Sequence, residues 1–213
     1  MKNVLVVIFP GFNTMDMNGP CEVLKMAESE ITTSSEGIRI KINQLGSRRT
    51  IRDVPLDRNL ICSLTEFNVL VVPGGPITPV KKQAGDAAAD FMSLIGTFWK
   101  LPPRPKCQPR ILLSICTGAV FLGIQGIFTG LSCTTHWATY QYLNQINQAA
   151  AGEHGLSGPV LQARFVDSGI NDYSVRVISS GGVSCGLDAS LYVVKLAAGE
   201  DIAREAADKI DYV

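Results

Sequence analysis

A chain of 213 residues, 46% of them hydrophobic, is long enough for one sizeable core, and one α/β domain spanning 1–213 is expected. Lysine plus arginine total 19 against 19 aspartate plus glutamate, with no basic stripe, which argues against nucleic acid as a partner. No apolar run reaches membrane-span length, six scattered cysteines form no CxxC pair and there are only two histidines, so the expectation is a cytoplasmic chain with reduced thiols and no metal centre.

The opening "MKNVLVVIFPGF" has an apolar stretch too short for a leader, ended by Pro10 and Gly11. A first strand is predicted over 3–9, followed by the loop "PGFNTMD", which carries Asp16. A helix is predicted from Gly19, with Pro20 in its first turn, where a missing N–H costs nothing. Val23, Leu24 and Ala27 recur there at helical spacing, and Glu22 lies in the first helical turns. The stretch "GIRIKINQLG", 37–46, alternates as a half-buried strand should, and 47–63 suggests a pair of short strands. "NVLVVPGG" is a buried parallel strand stopped by Pro73, Gly74 and Gly75. Residues 84–99 look helical, and "KLPPRPKCQPR" makes an exposed linker with prolines at 102, 103, 105 and 109.

Next comes "ILLSICTGAVFLG", 111–123, where an apolar strand gives way to Cys116, Thr117 and Gly118 before an apolar helix. Such a tight turn can present a nucleophile above the end of a sheet, near unpaired N–H groups that favour thiolate. The commoner role of a cysteine in apolar surroundings is that of a small buried hydrophobe. Residues 131–134 predict another strand, 136–146 a helix, and "AAAGEHGLSGP" a flexible loop. "ARFVD" and "SVRVIS" can pair as strands, "GGVSCGLDASLYVVKLAAG" is a glycine turn into a buried helix, and the tail from Asp201 is a polar-faced helix.

Strands alternating with helices imply a mostly parallel sheet covered on both faces, with ligands at the carboxyl ends of the strands. That rule gathers Asp16, Gly74, Gly75 and Cys116. The Gly75 N–H is a candidate donor to developing negative charge, and because Pro76 has no N–H the second donor is the Thr117 amide. The plainer role of the two glycines is an ordinary turn. Asp16 or Glu22 can complement a helix dipole, or can hold a proton beside the sulfur and deliver it to substrate. His136 in "CTTHW" follows the next predicted strand and can approach the site, although histidine beside tryptophan is more often structural; His154 lies in a polar, solvated loop. Cys185 in "GGVSCGLD" is the nearest rival nucleophile and reads as packing, with Ser184 or Asp188 helping the helix start. The cysteines at 21, 62, 107 and 133 lack the combination of strand end, glycine and helix start.

The stretches "FPGFNTMDMNGPCEVL", "VVPGGP", "SICTGAVFLG", "TTHW" and "GGVSCGLD" together resemble, in order and spacing, the DJ-1/PfpI (ThiJ) superfamily and within it the isocyanide hydratase branch. The resemblance implies a flavodoxin-like three-layer sandwich, a cysteine on a nucleophile elbow and a homodimer. Cys116 matches the nucleophile and Asp16 the aspartate that this branch uses beside it. Thr117 occupies the position where the protease branch carries a histidine, which argues against peptidase activity. The implied reaction is hydration of a small organic isocyanide to an N-substituted formamide, without metal or organic cofactor. The linker at 102–109 is longer than usual for the family. Three other activities share parts of this pattern. The ligand-sensing domain of AraC-type regulators precedes a DNA-binding module, and with the sequence ending at "DKIDYV" none is expected here. A redox or stress protein would oxidise Cys116 instead of turning over substrate. A glyoxalase acting on methylglyoxal wants a Glu-Cys-His set, of which only Cys116 and His136 are evident.

Overall fold

In the computed structural model, residues 3–27, 30–35, 51–86, 90–104, 107–153 and 155–212 are described. Continuous apolar runs make the centre of the sheet. β1 (Asn3–Ile8) is buried from its second residue on, and β4 (Val69–Val72) and β5 (Arg110–Ile115) are buried throughout, as strands covered on both faces must be. β2 (Glu30–Ser35) and β3 (Ile51–Pro55) extend the sheet on one side, β7 (Val175–Ser180) and β6 (Phe165–Ile170) on the other. The order is β3-β2-β1-β4-β5-β7-β6, parallel except for β6, which runs antiparallel to β7 with a bulge between Asp167 and Gly169.

Alternate residues of each strand feed two cores. Val4, Val6, Val71 and Leu113 pack against α1 (Thr14–Met26), α7 (Cys185–Ala198) and α8 (Glu200–Lys209). Leu5, Val7, Leu70 and Leu112 meet the opposite layer, built from α2 (Arg58–Cys62), α3 (Ile77–Ala84), α4 (Asp90–Phe98), α5 (Ala119–Ile124) and α6 (Tyr140–Ala151). This is the expected α/β three-layer sandwich with a mostly parallel sheet. The chain leaves β1 toward α1 on one face and leaves β4 toward α3 on the other, so a crevice opens between the carboxyl ends of these two neighbouring strands.

Several elements differ from the sequence reading. The first helix starts at Thr14, not Gly19, because Asn13 caps it by accepting the Met15 N–H. Asp16 therefore lies in the first helical turn instead of a loop, and Pro20 lies inside the helix. β2, "EITTSS", was hidden by its polarity; it runs beside β1 from Asn3↔Glu30 to Ile8↔Ser35. The strand predicted over 37–46 lies outside the described residues. The described part of 47–63 holds one strand and α2 in place of two strands. Where one helix was expected over 84–99, α3 ends at Ala84 and α4 begins at Asp90. Residues 131–134 make only an isolated bridge, Cys133 to Val160, and the helix predicted from 136 begins as a 3-10 turn, Trp137–Thr139, before α6. α6 continues to Ala151 and takes in the start of the predicted loop. The proline-rich linker is anchored at its end, where buried Arg110 donates to the Pro102 carbonyl at 2.8 Å. Among the described residues no helix is long and apolar enough to cross a membrane.

Candidate active site

The turn after β5 is an elbow. Cys116 has φ +58°, a left-handed conformation that costs a residue with a side chain roughly 1–2 kcal/mol. Its neighbours hold it there. The Cys116 N–H donates to the Gly181 carbonyl at 3.1 Å, and its carbonyl accepts the Thr135 hydroxyl at 2.8 Å. The elbow lies directly on the end of β4. A Cβ at Gly118 would sit 2.3 Å from the Val72 carbonyl oxygen, and one at Gly74 would sit 2.6 Å from the Thr117 nitrogen. These two glycines are requirements of close backbone approach, beyond the needs of a turn.

Thr117 clips the two segments together. Its Oγ1 accepts the Gly75 N–H at 2.8 Å and donates to the Gly75 carbonyl at 2.7 Å. This corrects the expectation for Gly75, whose amide already has a partner and is not free to meet an oxyanion. The amide of Thr117 is the donor that faces the sulfur.

Asp16 is fully buried in the first turn of α1. Among the described residues neither carboxyl oxygen has a hydrogen-bond partner at standard geometry; Cys116 and the amides of Gly74 and Val183 are the polar groups that face it. Burial pushes its carboxyl up from 3.8 to about 6, against the opposing pull of those three groups. The Cys116 thiol is pushed up to about 12, first by burial and then by the negative charge of Asp16, with the Thr117 amide and hydroxyl opposing. The donors of the turn therefore do not outweigh burial, and the thiolate is not favoured in isolation as the sequence suggested. Near neutral pH the two groups titrate as a pair holding one proton.

Beside the sulfur a cleft of about 510 Å³ is lined by Gly75, Cys116, Thr117 and His136, with Asn13, Val183 and the α3 and α6 side chains Ile77, Lys81 and Tyr142. His136 reaches the cleft, but its Nδ1 accepts the Ala138 N–H at 3.3 Å and caps the 3-10 turn. The structure thus gathers Asp16, Gly74, Gly75, Cys116, Thr117 and His136 in one neighbourhood, with Asp16 and Gly74 behind the cleft wall. Glu22 is not among them; it is exposed and paired with Lys25 at 3.5 Å. Cys185 stands half-buried at the start of α7. Ser184 makes no side-chain cap there, and Asp188 accepts from Arg164 and Tyr212, so neither caps the helix as expected. His154 lies outside the described residues. Among the described residues no three His, Cys, Asp or Glu side chains cluster to hold a metal.

The sequence reading missed Asn13, Val183, Ile77, Lys81 and Tyr142. Val183 carries a left-handed φ of +33°, rare for a β-branched residue, and the glycine pair before it was the available signal. The other four depend on how α1, α3 and α6 converge.

Residues 2–170 match the DJ-1/PfpI family model. Isonitrile hydratase of Pseudomonas putida is 24% identical over 217 residues, spanning 97% of this chain and 76% of that protein. Among solved structures, a THiJ/PfpI family protein from Pseudomonas syringae matches with a TM-score of 0.70 at 20% identity, over 99% of this chain and 74% of that one. Drosophila melanogaster DJ-1beta also gives 0.70 at 20% identity, over 100% and 98% of the two chains.

Proposed function

The chain belongs to the DJ-1/PfpI family, and from that premise we propose that it is a cysteine-dependent enzyme hydrating an organic isocyanide to the N-substituted formamide. The observation that carries this reading is the fully buried Asp16 set against the Cys116 sulfur, at a cleft with room for an organic substituent. The likeness to an isonitrile hydratase over 97% of this chain supports the choice of substrate.

The resting pair holds one proton. As the Cys116 sulfur attacks the terminal carbon of R–N≡C, its proton passes to the Asp16 carboxylate and from there to the same carbon. The product is a thioimidate, R–N=CH–S–Cys116. Asp16, now a carboxylate, draws a proton from a water that adds to this carbon, and that proton passes to the substrate nitrogen. The tetrahedral adduct then collapses: the C–S bond breaks, the hydroxyl proton returns to the pair and R–NH–CHO leaves. One water is consumed and the enzyme is restored. The Thr117 amide faces the sulfur throughout and steadies its charge as it leaves.

Burial that raises both groups suits this reaction. A lone thiolate would need a separate acid, whereas a pair sharing one proton moves it from sulfur to carbon without a third group. The test is turnover of p-nitrophenyl isocyanide beside methylglyoxal, with products identified by mass spectrometry. We expect the formamide from the native protein, none from Cys116→Ser, and a trapped Cys116 adduct on acid quench. Consumption of methylglyoxal with no formamide would overturn the reading in favour of a glyoxalase. Absence of both activities, with selective peroxide oxidation of Cys116, would favour a redox protein.

A further inference from the structure

Among the described residues, the cleft beside Cys116 is lined by one lysine and by no arginine, aspartate or glutamate. Lys81 lies one helical turn beyond Ile77 on α3, so both belong to the same wall. Its Nζ sits 4.2 Å from the centroid of the Tyr142 ring on α6, and Tyr142 lines the cleft as well. The ring orients the ammonium without neutralising it. Lys25, Lys195 and Lys209 each pair with a carboxylate, whereas among the described residues none pairs with Lys81. An oriented cation without a counter-charge thus shares a cavity with the nucleophilic sulfur, between apolar surfaces of Pro76, Ile77 and Ala138.

We propose that Lys81, held on Tyr142, is a specificity-determining residue that binds an anionic group on the substrate, so that the preferred substrates are isocyanides carrying a carboxylate. This rests on the hydratase reading for the reacting end and adds the identity of the other end. The apolar walls accommodate the spacer, the isocyanide carbon meets Cys116, and the carboxylate meets Lys81. The formamide produced keeps its carboxylate.

The experiment compares 4-isocyanobenzoate with its methyl ester, which share a rigid spacer and differ in charge. The ratio of kcat/KM, acid over ester, is measured for the native protein, Lys81→Met and Lys81→Glu. A ratio about 5-fold lower in Lys81→Met, the scale of one exposed ion pair, is expected, with a further fall in Lys81→Glu. Added salt should erode the native preference and leave that of Lys81→Met unmoved. A second arm needs no hydration: Cys116 is alkylated with 4-(bromomethyl)benzoate or its methyl ester, and labelling is normalised to exposed Cys62 in the same sample. Turnover with equal ratios in all three proteins would overturn the role of Lys81 and leave the hydratase reading standing. No turnover of either isocyanide, with a charge preference in alkylation that Lys81→Met abolishes, would overturn the hydratase reading and sustain the anion site. Equal alkylation in all three proteins without turnover would overturn both.

Discussion

At Asp16 the demands of folding and of chemistry oppose each other. A carboxyl with a folded value of about 6, against 3.8 ordinarily, favours folding only while protonated. That contribution is complete below about pH 3.8 and is lost as pH rises through about 6. Asp16→Asn keeps the shape and removes the charge, so the variant should be more stable than the native protein at pH 8, by up to about 3 kcal/mol. The advantage should disappear near pH 4. Urea unfolding of both proteins at the two pH values measures this, and a variant less stable at pH 8 would contradict it. The same substitution should lower isocyanide turnover by about 10²–10⁴-fold, the usual scale of general acid–base help. Glu22→Gln, at an exposed position paired with Lys25, should leave turnover near native. Cys116 and Asp16 were both legible from their places after strands. The direction of their titration was not, because it depends on how completely α1 and the elbow exclude water.

The elbow as an element stores strain that its neighbours hold in place. At φ +58° glycine is at ease and alanine is not, so Cys116→Gly should be at least as stable as Cys116→Ala, by up to about 1 kcal/mol once the greater freedom of unfolded glycine is set against the relief. Denaturant midpoints of the two variants test this; a clearly more stable alanine variant would mean that the turn relaxes out of the left-handed region. The elements bearing on the site were read with uneven success, for physical reasons. β1, β4 and β5 declared themselves because double-sided burial demands continuous apolar runs. β2 did not, because its threonines and serines are placed by pairing with β1 and carry little pattern of their own. The start of α1 was misplaced because Pro20 resembles a first-turn proline, whereas the Asn13 side chain closes the helix six residues earlier. α3 escaped notice because "ITPVKKQA" is short and interrupted by Pro79.

For the molecule as a whole, the strand order carries the functional conclusion. Chain positions 16, 74 and 116 follow β1, β4 and β5, three neighbours in the sheet, which is why a strand-end rule placed these residues together without knowledge of the loops. The family resemblance extends this to quaternary structure, and we propose a homodimer. Sedimentation at micromolar concentration should give twice the 22.9 kDa chain mass, and a stable species at 22.9 kDa would reject it. The same topology sets when the thiol becomes guarded. Parallel pairing of strands far apart in the chain is slow to form, and until β1, β4 and β5 are joined Cys116 has neither its burial nor the Asp16 charge. It is then an ordinary thiol titrating near about 8.5, open to any oxidant or electrophile at hand. Folding of this chain is thus also the closing of a chemical vulnerability: the sulfur at the elbow is more open to damage in a freshly made chain than in the folded one, and speed of assembly protects it.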